Sequence, residues 1–103
     1  VGFDWPDIDG ALSKVQEELQ EVQEAQAGRG DPQEELGDLL FACVNVARFL
    51  KVDPEVCLQK SCDKFIKRFA AMEELADKEG RQLEDMTLQE MDRLWERAKE
   101  IDS

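Results

Sequence analysis

Five carboxylates fall at helical spacing in two short stretches of the chain. Glu17, Glu18 and Glu21 lie in the first, with Lys14 one turn before Glu18, and Glu35 and Asp38 lie in the second, three residues apart. At about 100 degrees per residue the first set, with Lys14, covers roughly a quarter to a third of a helix circumference. The second pair projects from one side of its own helix, and Asn45 continues that side two turns on. Taken alone, an acidic stripe on one helix reads as a solvated face. Asp38 and Asn45 weigh against that reading, because from Leu36 to Leu50 only Gly37, Asp38, Asn45 and Arg48 interrupt a run of apolar residues. A carboxylate in such a helix must be paired, or take up a proton. Successive helices joined by a tight loop lie antiparallel and adjacent, so Glu18 and Glu21 can face Glu35 and Asp38. Four like charges in one nest repel each other, and a cation inside relieves them. Oxygen donors without His or Cys select a hard divalent ion, Mg2+ first and Mn2+ second; Ca2+ stays open, although no EF-hand loop is present.

What the chain lacks narrows the chemistry further. It has 103 residues, 13 Lys plus Arg against 25 Asp plus Glu, a net charge of -12 and no histidine. Ser-His-Asp and Cys-His nucleophiles, His-containing zinc sites and Glu-x-x-His di-iron pairs are therefore excluded. Catalysis would have to run on carboxylates, Lys, Arg or a metal. So acidic a surface repels a duplex, and no nucleic-acid polymer is expected as a partner. Cys43, Cys57 and Cys62 match neither a zinc knuckle nor a Cys-x-x-Cys pair and are expected as reduced core residues. The longest apolar stretch, Leu39 to Val44, is far too short to span a membrane, and the first residues show no basic leader or secretion signal. A cytoplasmic protein without membrane contact is the expectation.

The elements that must position these groups read as helices. Gly and Pro concentrate at Gly28 to Pro32, at Asp53-Pro54 and around Gly80, and the segments between them have helical periodicity. The first helix is expected from about Gly10 to Ala27, with Leu12, Val15, Leu19 and Val22 as its apolar stripe. Asp31 caps the second, with Pro32 at its first position and Glu34 in the capping-box place, and Asp53-Pro54 opens the third in the same way. Leu58, Cys62, Phe65, Phe69, Met72 and Ala76 form the third stripe. Thr87 and Glu90 make a Thr-x-x-Glu box for a fourth helix striped by Leu88, Met91, Leu94, Trp95 and Ala98. The fold class is all-α, a four-helix bundle in a single domain. The second helix is apolar nearly all round, and four short helices offer little to bury it. A homodimer or higher homo-oligomer is therefore expected. Trp5 and Phe3 are expected to fasten the start of the chain to the bundle.

Cations occupy the flanks of the later helices. Lys64 and Arg68 stand four residues apart, and Trp95 and Lys99 have the same offset. In a strongly acidic chain they would suit an anion already bridged to a divalent ion, and phosphate is the obvious one. Salt bridging to nearby Glu residues is the plainer alternative, and Trp95 as a core residue is the other.

These residues together resemble the MazG nucleoside triphosphate pyrophosphohydrolases. The resemblance rests on Lys14-Val-Gln-Glu17-Glu18-Leu-Gln-Glu21, on Glu35-Leu-Gly-Asp38 and on Val44-Asn45, and it extends to Gly2-Phe3-Asp4-Trp5-Pro6, the Asp38 to Arg48 run, Lys64-Phe-Ile-Lys-Arg68-Phe69, and Trp95 with Lys99. It covers nearly the whole chain, 1–103. Phe49, where relatives often have His, lies outside the acidic motif. The resemblance implies an all-α, oligomeric fold and Mg2+-dependent hydrolysis of nucleoside triphosphates to the monophosphate and pyrophosphate. It implies Glu18, Glu21, Glu35 and Asp38 as metal ligands, and Lys64, Arg68, Trp95 and Lys99 as triphosphate or nucleotide contacts. Lys14 and Asn45 are further candidates for the polar wall. The Gly-Phe-Asp-Trp-Pro opening resembles the start of the second copy in tandem members of the family.

The mechanism this suggests is attack of water on the α-phosphorus, with pyrophosphate leaving and Mg2+ or Mn2+ as cofactor. Glu18 is the candidate proton acceptor, and Glu17 a candidate for orienting water. Two rival readings stay open. One is a narrower house-cleaning pyrophosphatase for a dUTP- or dCTP-type or damaged nucleotide; the other is a non-enzymatic acidic helical interaction module.

Overall fold

Each helix begins at a residue whose short side chain receives a backbone N–H. The computed structural model describes residues 1–102, with α1 at Ile8–Gln26, α2 at Pro32–Leu50, α3 at Pro54–Lys78, a 3-10 turn at Leu83–Asp85 and α4 at Leu88–Asp102. No strand occurs among the described residues. Asp7 accepts from the N–H of Asp9 at 3.0 Å, Asp31 from Gln33 at 3.1 Å and Asp53 from Glu55 at 2.9 Å. At α4 the expected box is complete, since Thr87 Oγ1 accepts from the Glu90 N–H at 3.1 Å and Glu90 Oε1 accepts from the Thr87 N–H at 3.0 Å. The first helix starts two residues before the expected Gly10, because Asp7 supplies the cap.

The first three helices close in the same way. After α1 the N–H of Arg29 donates to the Glu24 carbonyl and that of Gly28 to Ala25; Lys51 and Val52 repeat this pairing after α2, and Gly80 and Arg81 after α3. This Schellman closure needs a left-handed residue. Gly28 and Gly80 supply it without strain, at φ 93° and 70°, whereas after α2 the position is Lys51, at φ 60°. Lys51→Gly should therefore stabilise the protein by about 0.5–1 kcal/mol after the entropy of the unfolded glycine is counted. Thermal denaturation should register this as a rise of about 2–8 °C in Tm.

The chain divides into two compact units, Val1–Cys57 and the residues from Leu58 onward. In the first, α1 and α2 pack as an antiparallel hairpin. The seam is made by small residues, Ala11 and Ala25 on α1 and Ala42 and Ala47 on α2, all buried, with Glu18 midway between the two α1 alanines. This corrects the expected α1 stripe, since Leu12 and Leu19 are exposed and Val15 and Val22 only half-buried. Small side chains let the two backbones approach closely, and the larger leucines are turned out of the seam. The second helix is likewise not buried on most sides. One neighbour covers one face, leaving Leu36, Leu40, Phe41 and Val44 exposed, and Asp38 sits at an exposed rim and not inside a buried helix. At the chain's start Trp5 does fasten to α1, its ring lying against Gly10. Asp4 also anchors the start, accepting two hydrogen bonds from Arg48 at 2.8 Å each. Phe3, expected to help, is instead 99% exposed.

The second unit has its own core of Met72, Leu75 and Ala76 from α3 with Met86, Leu94 and Ala98, flanked by Ala71, Leu83, Met91 and Trp95. An Arg81–Glu90 ion pair ties the turn after α3 to the first turn of α4. The Arg81 guanidinium, helped by the Thr87 N–H, holds the Glu90 carboxyl down at about 2. Of the expected α3 stripe only Met72 and Ala76 are buried; Leu58, Cys62, Phe65 and Phe69 are exposed. The periodicity is right, but the 15 residues of α4 are too few to oppose all 25 of α3. The cysteines are also a correction. Cys43, Cys57 and Cys62 are free thiols as expected, yet all are exposed, because they lie on helix faces that nothing within their own unit covers. No described helix is long and apolar enough to cross a membrane.

Candidate metal centre

Glu18 enters the α1–α2 seam because it occupies the middle of the stripe whose other members are Ala11 and Ala25. It is only 5% exposed, so for this residue a solvated face is excluded. One turn earlier Lys14 reaches back with Nζ 3.0 Å from Glu18 Oε1 and 3.4 Å from Glu17 Oε1. One carboxylate oxygen from each of Glu17, Glu18 and Glu21 lies within 4.8 Å of the others, and the same holds for Glu18, Glu35 and Asp38. Glu18 belongs to both groups and is the hinge of the cluster. The antiparallel register then sets Glu21 against Glu35.

The electrostatics follow from these positions. The Lys14 ammonium keeps the Glu18 carboxyl below the usual range, and Glu18 in turn raises Lys14. The Glu21 carboxyl is pushed up to about 7, first by its hydrogen bond with Glu35 and then by that with Glu18. Below that pH a proton on Glu21 relieves the repulsion among the acids, as an external cation would. Two acceptors remain unsatisfied: Glu18 Oε2 and Glu35 Oε2 are buried without any hydrogen-bond partner. Orphaned buried acceptors are rare in folded proteins, and two in one cluster fit a bound cation. With oxygen as the only donor type, a hard divalent ion suits them.

The structure thus brings Glu18, Glu21, Glu35 and Asp38 together, with Glu17 and Lys14 beside them. Asn45 lies two turns further along α2, lining a cavity with Trp5, Phe41 and Arg48. Lys64, Arg68, Trp95 and Lys99 belong to the second unit. There Trp95 is half-buried against the core and against Phe65, with ring centroids 5.4 Å apart, and Lys99 pairs with Glu96 at 3.4 Å. Two features escaped sequence reasoning. The raised carboxyl of Glu21 depends on a distance between helices, which no spacing within one helix reveals. The Asp4–Arg48 pair had a weak signal, a lone arginine in the apolar second half of α2 and an acid in the aromatic opening segment.

Comparison with known proteins finds a family model and several relatives. The family model for the MazG nucleotide pyrophosphohydrolase domain matches residues 9–73, which include every acidic residue of the cluster. The chain is 50% identical over 99 residues to the nucleoside triphosphate pyrophosphohydrolase/pyrophosphatase MazG of Thermotoga maritima, covering 96% of this chain and 38% of that protein. It is 39% identical over 108 aligned residues to the nucleoside triphosphate pyrophosphohydrolase of Escherichia coli K12, covering 99% of this chain and 41% of that one. A third relative, YabN of Bacillus subtilis, is 54% identical over 68 residues, 66% of this chain and 14% of its own length. The chain spans about two fifths of the length of the Thermotoga and Escherichia proteins.

Proposed function

We infer the activity from one premise: this chain belongs to the MazG nucleotide pyrophosphohydrolase family. The reaction proposed is hydrolysis of a nucleoside triphosphate to the monophosphate and pyrophosphate. One observation carries it. Four carboxylates from two helices converge with two buried, unpartnered oxygens and Lys14 beside them.

Glu18, Glu21, Glu35 and Asp38 would hold Mg2+, with Mn2+ as a substitute. When bound, the ion supplies charge neutralisation at the phosphate oxygens and a lowered pKa for water. The chain's own groups do the rest. Lys14 keeps Glu18 ionised, which favours ligation over proton transfer. The proton expected from the sequence to pass to Glu18 is proposed instead to pass to Glu17, which is more exposed and stands at the rim of the cluster, where it can also orient the attacking water. The water oxygen forms a bond to the α-phosphorus, the bond from that phosphorus to the bridging oxygen breaks, and pyrophosphate departs with that oxygen. Lys64, Arg68, Trp95 and Lys99 are proposed to contact the triphosphate or nucleotide.

A second copy of the chain is proposed to cover α2. Leu36, Leu40, Phe41 and Val44 are exposed along it, and Gly37 has open space where a side chain would stand, so another backbone can approach closely. Sedimentation should give a multiple of the single-chain mass.

The reaction is tested by incubating the protein with Mg2+ and each common ribo- and deoxynucleoside triphosphate in 18O-labelled water. Pyrophosphate should be the first phosphate product, with the label in the monophosphate. Orthophosphate as the first product, or label in pyrophosphate, would place the cut at another bond. Absence of turnover with every triphosphate would favour an interaction module.

A further inference from the structure

Beyond the carboxylates, the first unit holds a cavity of about 400 Å3 lined by Phe3, Asp4, Trp5, Phe41, Asn45 and Arg48. That volume falls in the range of small-ligand pockets, and the lining has their usual make-up of aromatic walls with a few convergent polar groups. Two of the lining side chains are held in place. Trp5 rests so closely on Gly10 that a Cβ there would come within 2.4 Å of its ring, and Arg48 is clamped by Asp4 through two hydrogen bonds of 2.8 Å. The clamp neutralises the one acid in the lining. Arg48 also donates to Asn45 Oδ1 at 3.4 Å, which leaves the Asn45 amide its N–H donors for another partner.

The cavity is in register with the carboxylate cluster. On α1, Gly10 beneath Trp5, then Lys14, then Glu18 follow at intervals of four residues along one face, so the tryptophan lies about 12 Å from the level of Glu18. On α2, Asp38 and Asn45 are seven residues apart on one side, about 10 Å along the axis. Both helices therefore set an aromatic, hydrogen-bonding pocket at the reach of a nucleoside from the place of its phosphates, with Lys14 between. Resting on the reaction proposed above, we infer that this cavity receives the base of the nucleotide whose phosphates the carboxylate cluster holds, and that Trp5, Phe41 and Asn45 set the preference among bases.

The test has one arm without catalysis and one with it. Of the two tryptophans, Trp5 is replaced by Phe in a parallel sample so that the part of the fluorescence change that depends on Trp5 is read by difference, and free nucleosides are titrated without metal. Saturable quenching is expected, and it should be lost in Asn45→Leu and Phe41→Ala proteins that keep their helical circular dichroism. In the second arm kcat/KM is measured with Mg2+ for the four ribonucleoside triphosphates and for ribose 5-triphosphate, which has no base. The advantage of the best base over the base-free compound should fall at least about tenfold in Asn45→Leu, the scale set by loss of a specific polar contact. Asn45→Asp, which keeps the size and replaces the donor by an acceptor, should reorder the bases. Quenching by nucleosides in a protein that cleaves no triphosphate would refute the reaction and uphold the cavity. Hydrolysis with a silent Trp5 and an unchanged base ranking in all three variants would overturn the cavity while leaving the reaction intact. An unchanged ranking combined with a fall in sedimenting mass for Phe41→Ala would also overturn it, by assigning the cavity to a side chain of a second copy.

Discussion

Glu35→Gln is expected to raise the melting temperature of the metal-free protein at pH 8 and, in the same sample, to lower pyrophosphate release by more than about a hundredfold. Both effects come from one place. Glu35 is the first cause of the raised carboxyl of Glu21, and its own Oε2 is buried without a partner. Above pH 7 Glu21 gives up its proton beside Glu35, so replacing Glu35 by a neutral amide removes a repulsion that the folded chain otherwise bears. The same replacement deletes a proposed metal ligand. Groups that merely support metal ligands cost about 10–100-fold when mutated, so loss of a ligand should exceed that. Thermal denaturation with and without Mg2+, read beside a pyrophosphate assay, separates the two effects. A Glu35→Gln protein that is less stable without metal but fully active would contradict both parts.

Stabilisation by Mg2+ should grow steeply with pH. The Glu21 carboxyl sits at about 7 in the folded chain against an ordinary 4.5, so without metal its stabilising contribution is complete below 4.5 and is lost as pH rises through 7. A divalent ion competes with that proton. At pH 5 the ion must displace it, and the shift in Tm should be small. At pH 8 nothing has to be displaced, and a hundredfold excess of ion over Kd is worth about 2.7 kcal/mol, a shift on the order of 10 °C for a domain of this size. Calorimetric titrations in buffers of different ionisation enthalpy should show proton release on Mg2+ binding that fades above pH 7. In Glu21→Gln the metal-free Tm should lose its decline between pH 4.5 and 7. A Mg2+ shift of equal size at pH 5 and pH 8 would show that Glu21 lies outside the binding site.

Convergence of the carboxylates was legible in the sequence because it depends on little. A short loop forces α1 and α2 together, and helical spacing puts Glu18 with Glu21, and Glu35 with Asp38, on single faces. Helix starts were legible for a similar reason, since Asp31, Asp53 and Thr87 act within three residues of themselves. The face of α1 that meets α2 was not. Leu12 with Leu19, and Ala11 with Glu18 and Ala25, repeat every seven residues on adjacent faces, and hydropathy favours the larger pair. Close approach of the backbones favours the smaller one, and it is the alanine face that carries Glu18 into the seam. The cysteines and the first half of α3 have the pattern of buried residues, but burial needs an opposing surface, and the element that would supply one is missing within their unit. The base cavity was illegible for a different reason: it joins Trp5 to Asn45 across a long stretch of chain, through a glycine whose role is to leave room for the ring.

Anomalous diffraction from crystals soaked in Mn2+ reports most directly on whether these acids form a metal site. Density should appear among the carboxylates of Glu18, Glu21, Glu35 and Asp38, within bonding distance of Glu18 Oε2 and Glu35 Oε2. Mn2+ bound only elsewhere on the acidic surface, with Glu21 still hydrogen-bonded to Glu35 at neutral pH, would contradict a metal-dependent reaction at this cluster.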